Sequence, residues 1–295
     1  MERERAGRPR SNTGSCPMRA ADPIIEERPL AGRCIALVEH RELDRLGRML
    51  EELGAATLRC PLVAIADAPD QGTLRAWIER AIAAPFDDLV LMTGEGLRRL
   101  RGTAERAGLE ASFRDALGRM RTITRGPKPA RALREIGLGP GLRAATPTTD
   151  GVIAALSQED LSGRRVGIQL PPDSPPRLAD FLRQAGALPD PVVPYVYVPR
   201  ADSREIAGLI DEMTRGAVDM IAFTSAPQVA RLFEAAATGG RADQLLAALR
   251  MTPIAAIGPV VAGELQRHGL AAAIMPQGSF FMKPLVSAIA AALSR

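Results

Sequence analysis

Histidine is nearly absent from this chain and aromatic residues are scarce: two His, two Tyr, one Trp and seven Phe among 295 residues. Each shortage excludes something. His40 and His268 each stand alone at a helix start or end, where capping or surface roles suit them, and no metal site is expected. Single-stranded nucleic-acid binding stacks bases on aromatic platforms, so no nucleic-acid partner is expected. Cys16, Cys34 and Cys60 are odd in number and share no short metal-ligand spacing. Cys34, in a strand pattern, and Cys60, at a strand start, read as buried inert thiols. No apolar run approaches the roughly 20 residues of a membrane helix, and the N-terminus lacks the apolar core of a signal peptide. The expectation is a cytoplasmic protein with no membrane partner. Neither GxGxxG nor GxxxxGKS/T occurs, which argues against nucleotide use.

What is present allows about two domains, each large enough for its own core. The formal charge is only +4, and the high pI comes largely from Arg. Residues 1–29 are polar, Arg-rich and broken by Pro and Gly, and read as a disordered tail. From Arg33 onward, short apolar runs alternate with helical patterns. Strands are expected at Cys34–Val38, Leu89–Thr93, Arg121–Thr124, Leu142–Ala145, Arg165–Leu170, Met220–Thr224, Ile254–Ile257 and Ala272–Met275. Extended segments are expected at Thr57–Ala66 and Val192–Val198, containing Pro61 and Pro194. Helices fall between, at Glu42–Leu53, Thr73–Ala83, Gly96–Arg106, Pro129–Ile136, Thr149–Leu156 and finally Val286–Leu293.

The chain also repeats itself at an offset of about 131 residues. Leu30-Ala31-Gly32-Arg33 recurs as Leu161-Ser162-Gly163-Arg164, and Asp88 to Thr93 as Asp219 to Thr224. Gly126-Pro127 with Ala130, Leu133 and Gly137-Leu138 recurs as Gly258-Pro259 with Ala262, Leu265 and Gly269-Leu270. A unit this long is a domain, not a solenoid repeat of about 20–50 residues. The fold class is therefore α/β: two doubly wound parallel-sheet lobes from an internal duplication, with a ligand cleft between them.

In such sheets ligands bind beyond the carboxyl ends of the strands. Those ends carry Thr93-Gly94, Arg125-Gly126-Pro127-Lys128, Thr224-Ser225 and Gly258-Pro259. Each loop opens a helix, where unpaired backbone N–H groups and the helix dipole attract anions. Arg125 and Lys128 add side-chain charge that the second copy lacks.

At these residues the chain resembles the uroporphyrinogen III synthase family, from Ile221-Ala222-Phe223-Thr224-Ser225 through Ala255-Ala256-Ile257-Gly258-Pro259 to Gly269-Leu270. Tyr195-Val196-Tyr197-Val198 resembles the family's inter-domain segment. The resemblance implies a chain that crosses twice between lobes, near Pro61 and Pro194. Residues 30–60 with 199–295 would form one lobe, and 61–198 the other with the connectors. It also implies an enzyme that cyclises the linear tetrapyrrole hydroxymethylbilane, inverting the last ring and releasing water, with no metal or organic cofactor. Tyr197 matches a tyrosine thought to donate a proton to the departing hydroxyl. The substrate-binding set would be Thr93, Gly94, Arg125, Gly126, Lys128, Thr224, Ser225, Gly258, Pro259, Val260 and Ser279. A monomer is expected. Two departures stand out: Val260-Val261 replaces frequent threonines, and Met92-Thr93-Gly94-Glu95 replaces the usual Phe-Thr-Ser, with Glu95 adding a negative charge. The alternative is a non-catalytic tetrapyrrole- or anion-binding regulatory protein of the same fold.

Overall fold

The computed structural model describes residues 28–294. The tail expected at residues 1–29, all but its last two positions, and Cys16 lie outside the described residues.

Eleven strands and twelve helices follow one another among those residues. The first third runs β1 (Cys34–Leu37), α1 (Leu43–Glu51), β2 (Ala56–Arg59), β3 (Val63–Asp67), α2 (Gln71–Ala83), β4 (Asp88–Leu91) and α3 (Gly94–Arg106). Next come α4 (Glu110–Arg119), β5 (Arg121–Thr124), α5 (Pro127–Arg134), β6 (Leu142–Arg143), α6 (Thr149–Leu156), β7 (Arg165–Gln169), α7 (Arg177–Gln184) and β8 (Leu188–Val192). The chain closes with β9 (Tyr195–Pro199), α8 (Ser203–Thr214), β10 (Met220–Phe223), α9 (Ala226–Thr238), α10 (Ala242–Met251), β11 (Ile254–Ala256), α11 (Pro259–Arg267) and α12 (Met282–Leu293).

These elements gather into two compact units, Met1–Val63 with Pro199–Arg295, and Ala64–Val198. We call them unit 1 and unit 2. In unit 1 the sheet order is β11-β10-β1-β2, every pair parallel. β1 and β10 read Cys-Ile-Ala-Leu and Met-Ile-Ala-Phe, buried at every position. Such uninterrupted apolar strands are what a sheet covered on both faces requires. Leu46, Leu50, Ile206, Leu209, Leu232 and Leu285 from the helices complete that core. In unit 2 the order is β6-β5-β4-β7-β8, again all parallel. β8 holds Pro189 and Pro191 and lies at the edge, the place in a sheet where missing N–H donors are tolerated. Because all strands of a sheet run one way, all its helix-opening loops lie along one edge.

Several segments differ from their expected form. Thr57–Ala66 is two strands, β2 and β3, although the Cys60 and Leu62 N–H groups on either side of Pro61 still bond the Leu37 and Val38 carbonyls. Val192–Val198 is likewise divided, Val192 ending β8 and Tyr195 opening β9 beyond Val193-Pro194. β3 and β9 pair with each other. Ala68 donates to Pro194 and Arg200 to Leu62, so these two strands run antiparallel. Ala272–Met275 forms only one bridge, Ile274 to Ala255. Helix α4 was not expected; it buries Phe113, Ala116 and Leu117 on one face. Cys60 is free and buried, and desolvation pushes its thiol up to about 12, which suits an inert role. Cys34 is buried in β1.

The two sheets share one strand order, β11-β10-β1-β2 against β5-β4-β7-β8. The correspondence slips by one residue from the sequence match. Met220 pairs with Ile35 and Asp88 with Val166. Ile35 and Val166 lie 131 apart, whereas Asp88 and Met220 lie 132 apart. The cap of α3 is Thr93 and that of α9 is Ser225, so Thr93 corresponds to Ser225 rather than to Thr224.

At the amino ends of the unit 2 strands sits a fully buried carboxylate, Asp88. Arg121 Nε and Arg164 Nε each donate to it at 2.6 Å. This ion pair joins β4, β5 and the turn before β7, and lies at the edge opposite the helix-opening loops.

Candidate functional site at the strand ends

In unit 2 the loop after β4 is held by β7. Thr93 caps α3, its Oγ1 accepting from Gly96 N–H at 3.0 Å. Gln169, the last residue of β7 and fully buried, accepts through Oε1 from Thr93 N–H at 2.9 Å and from Thr93 Oγ1 at 3.2 Å. Tyr195 donates its hydroxyl to Thr93 Oγ1 at 3.3 Å. Glycine is needed here twice. A Cβ on Gly94 would lie 2.7 Å from the Lys128 carbonyl, so the starts of α3 and α5 approach only without one. A Cβ on Gly96 would lie 1.9 Å from the Gln169 side chain.

Arg125 closes β5 in the same edge. Burial lowers its guanidinium pKa, with Tyr195 and Tyr197 partly offsetting this. Among the described residues no carboxylate pairs with it and no side-chain hydrogen bond satisfies it. It lines a cavity of about 160 Å³ together with Met92, Leu170, Asp173, Ser174 and Leu178. Asp173 takes a left-handed backbone, φ 57°, which Asp tolerates better than most residues. Two more polar atoms of this edge are buried without partners, Thr124 Oγ1 and Gln169 Nε2. Leu91 of β4 pairs with both Thr124 and Gln169. Buried donors are ordinarily satisfied, so these two unmet ones, on the strands flanking β4, set this edge apart.

Tyr197 packs edge-on against Tyr195, ring centroids 5.6 Å apart. Burial raises its hydroxyl pKa well above the ordinary value, Arg125 opposing the shift only in part, so it stays protonated at neutral pH. Lys128 is exposed, while Gly126 caps α5 with an extended backbone. Glu95 is neutralised by Arg99 at 2.7 Å, and Arg99 also reaches Asp67 at 2.8 Å. The negative charge at Glu95 is therefore paired within the protein.

The corresponding edge of unit 1 is satisfied from within. Gln228 Oε1 accepts from Thr224 N–H at 2.8 Å and Ser225 N–H at 3.2 Å. Thr224 Oγ1 donates to Glu39 Oε2, and Gln228 Nε2 donates to the same oxygen at 2.9 Å. Thr224 is buried, and its N–H and hydroxyl are already partnered. Gly258 caps α11 and its Cα hydrogens face the Phe280 ring, where a Cβ would come within 3.0 Å. Pro259 is the first residue of α11. Val260 is 38 % exposed and Val261 buried. Ser279 is half-buried in the loop before α12.

Sequence reasoning missed Gln169, Gln228, Glu39 and Tyr195. The two glutamines perform one task, capping a loop N–H, from unrelated positions: the end of β7 and the first turn of α9. No spacing rule would link them. His268 caps α11 and stacks on Phe233 at 3.7 Å between ring centroids, which is packing. No cluster of three His, Cys, Asp or Glu able to hold a metal occurs among the described residues. None of their helices is long and apolar enough to cross a membrane.

Comparison with known proteins bears on this arrangement. A family model described as uroporphyrinogen-III synthase HemD matches residues 44–286. An uncharacterized protein of Bacillus subtilis, YjjA, is 30% identical over 252 residues, covering 84% of this chain and 92% of its own. A putative uroporphyrinogen-III synthase of Methanothermobacter thermautotrophicus is 28% identical over 233 residues, covering 72% and 89%. Among solved structures, a mutant uroporphyrinogen III synthase of the extreme thermophile Thermus thermophilus superposes with a TM-score of 0.70 at 27% identity, over 88% of this chain and 98% of that one.

Proposed function

The chain belongs to the uroporphyrinogen-III synthase family, and from that premise we propose that it cyclises hydroxymethylbilane to uroporphyrinogen III. The observation that carries this reading is Arg125, a desolvated guanidinium with no internal counter-ion beside a cavity. An unpaired buried charge is costly, and a carboxylate of a polycarboxylate substrate is the group that would relieve it. Charge-assisted Arg–carboxylate bonds are also the stronger kind.

The remaining site residues follow in role. Thr93, Gly94, Gly126 and exposed Lys128 frame the edge, while Ser225, Gly258, Pro259, Val260 and Ser279 frame that of unit 1. The reaction asks little chemistry of a protein: the C–O bond of the hydroxymethyl group breaks, its electron pair leaves on oxygen, and the positive charge spreads over the pyrrole. The oxygen departs as water after taking a proton, which Tyr197 supplies. Attack by the substituted carbon of the last ring, rearrangement and loss of a ring proton complete the balance and return that proton. Holding the chain folded so that this carbon meets the electrophile is the larger contribution.

Purified protein given freshly made hydroxymethylbilane should yield the type III isomer; type I alone, the uncatalysed product, would sink the proposal. Tyr197→Phe is expected to lower kcat by about 10²-fold or less, since a hydroxyl with a raised pKa surrenders its proton reluctantly. Product affinity should hardly move, because only the transition state loses an interaction. A parental rate in that variant leaves Tyr197 as packing. The second reading, a tetrapyrrole-binding protein without turnover, draws on Val260 and on the commitment of Thr224 to Glu39. The isomer assay separates the two.

A further inference from the structure

The two strand-end edges carry opposite charge, each at a position where the other is apolar. Position 39, just beyond β1, corresponds to 170, just beyond β7, by the 131-residue offset of those strands. Position 125, beyond β5, corresponds to 257, beyond β11, by the 132-residue offset that relates the caps Gly126 and Gly258. Unit 2 has Leu170 and Arg125 there; unit 1 has Glu39 and buried Ile257.

Glu39 is held as an anion by its surroundings. Oε1 accepts from the N–H groups of Arg41 at 3.1 Å and Glu42 at 3.4 Å. Oε2 accepts from Thr224 Oγ1 and from Gln228 Nε2. Burial disfavours the charged form, but these bonds and the nearby Arg41 outweigh it, and the net shift is downward. Glu39 thus stands where an incoming carboxylate would otherwise find hydroxyl, amide and backbone donors, and it keeps part of its surface open.

We propose that Glu39 is a specificity residue that closes the unit 1 edge to ligand carboxylates. The proposal rests on the polycarboxylate reading above and adds a polarity to it.

The test is a titration with the fluorescent octacarboxylate uroporphyrin, followed by anisotropy at low and high salt, on the parent, Glu39→Gln, Glu39→Asp and Arg125→Met. Removing the charge that repels carboxylates at the unit 1 edge should tighten binding of Glu39→Gln by about 3–10-fold at low salt, the gain shrinking as salt screens it. Glu39→Asp keeps the charge and should bind within about twofold of the parent by the same Coulombic reasoning. Unchanged or weaker binding by folded Glu39→Gln overturns the inference, as does equal tightening by Glu39→Asp, which would trace the effect to disturbed contacts. If Arg125→Met weakens binding while Glu39→Gln does nothing, only this inference falls. If neither matters, the polycarboxylate site itself falls.

Discussion

Arg125→Met is expected to change stability and binding in opposite directions. The guanidinium is desolvated and answered by no internal carboxylate, so methionine, of similar length and without charge, removes a burial cost. The free protein should gain about 1 kcal/mol, at the low end for an imperfectly satisfied buried polar group. The same change deletes a charge-assisted hydrogen bond to ligand, about 1.5–3 kcal/mol, or roughly 10–150-fold in affinity. Urea unfolding followed by tryptophan fluorescence measures the first effect, because the single Trp77 is buried in the unit 2 core. Uroporphyrin titration measures the second. A destabilised variant would mean that Arg125 is a structural residue; unchanged affinity would move the ligand elsewhere. Residues that weaken the free fold while serving a ligand are a recurrent signature of functional sites.

Asp88→Asn should have the largest effect on stability. Asp88 is fully buried and receives Arg121 and Arg164 at 2.6 Å each, and Arg121 also pairs with Glu159. Breaking a buried pair from one side costs about 3–5 kcal/mol. Both guanidiniums keep about a third of their surface, so about 3 kcal/mol is expected, with a Tm lowered by roughly 10 °C if unit 2 melts as a domain of its size. Trp77 fluorescence again reports on the correct unit. Uroporphyrin affinity, measured below the transition, should stay near parental, because Asp88 lies at the amino ends of strands whose carboxyl ends carry Arg125. A loss of less than about 1 kcal/mol would place this network among ion pairs of surface strength.

Much of the backbone plan was legible in the chain. β5 and α6 fall where the pattern placed them, and β1, β4, β7 and β10 within two residues at either end. Their signal is local: a short run of apolar side chains bounded by Gly, Pro or a capping residue. The errors are local too. Proline inside an extended run reads as one strand with a kink, but around Pro61 and Pro194 the chain leaves one sheet and pairs anew in β3 and β9. Helix α4 follows α3 after only Ala107-Gly108-Leu109, so the two merge into a single polar stretch. The repeat was visible, yet matching Thr93 to Thr224 chose the better letter agreement over the register, which makes Ser225 the cap.

The order of strands and helices, the helix-opening glycines and the charge on Arg125 are properties of the sequence alone, since each depends on neighbours a few residues away. Which donors remain free is not. Gln169 reaches Thr93 across 76 residues, and Glu39 reaches Thr224 across 185; only the parallel register that sets β7 beside β4 and β1 beside β10 brings them together. A hydrogen bond of this kind has no periodicity, because its partners share no element. So the chain announces two similar anion-attracting edges, and the folded structure makes them unlike, filling one with its own carboxylate and leaving the other with an unanswered guanidinium.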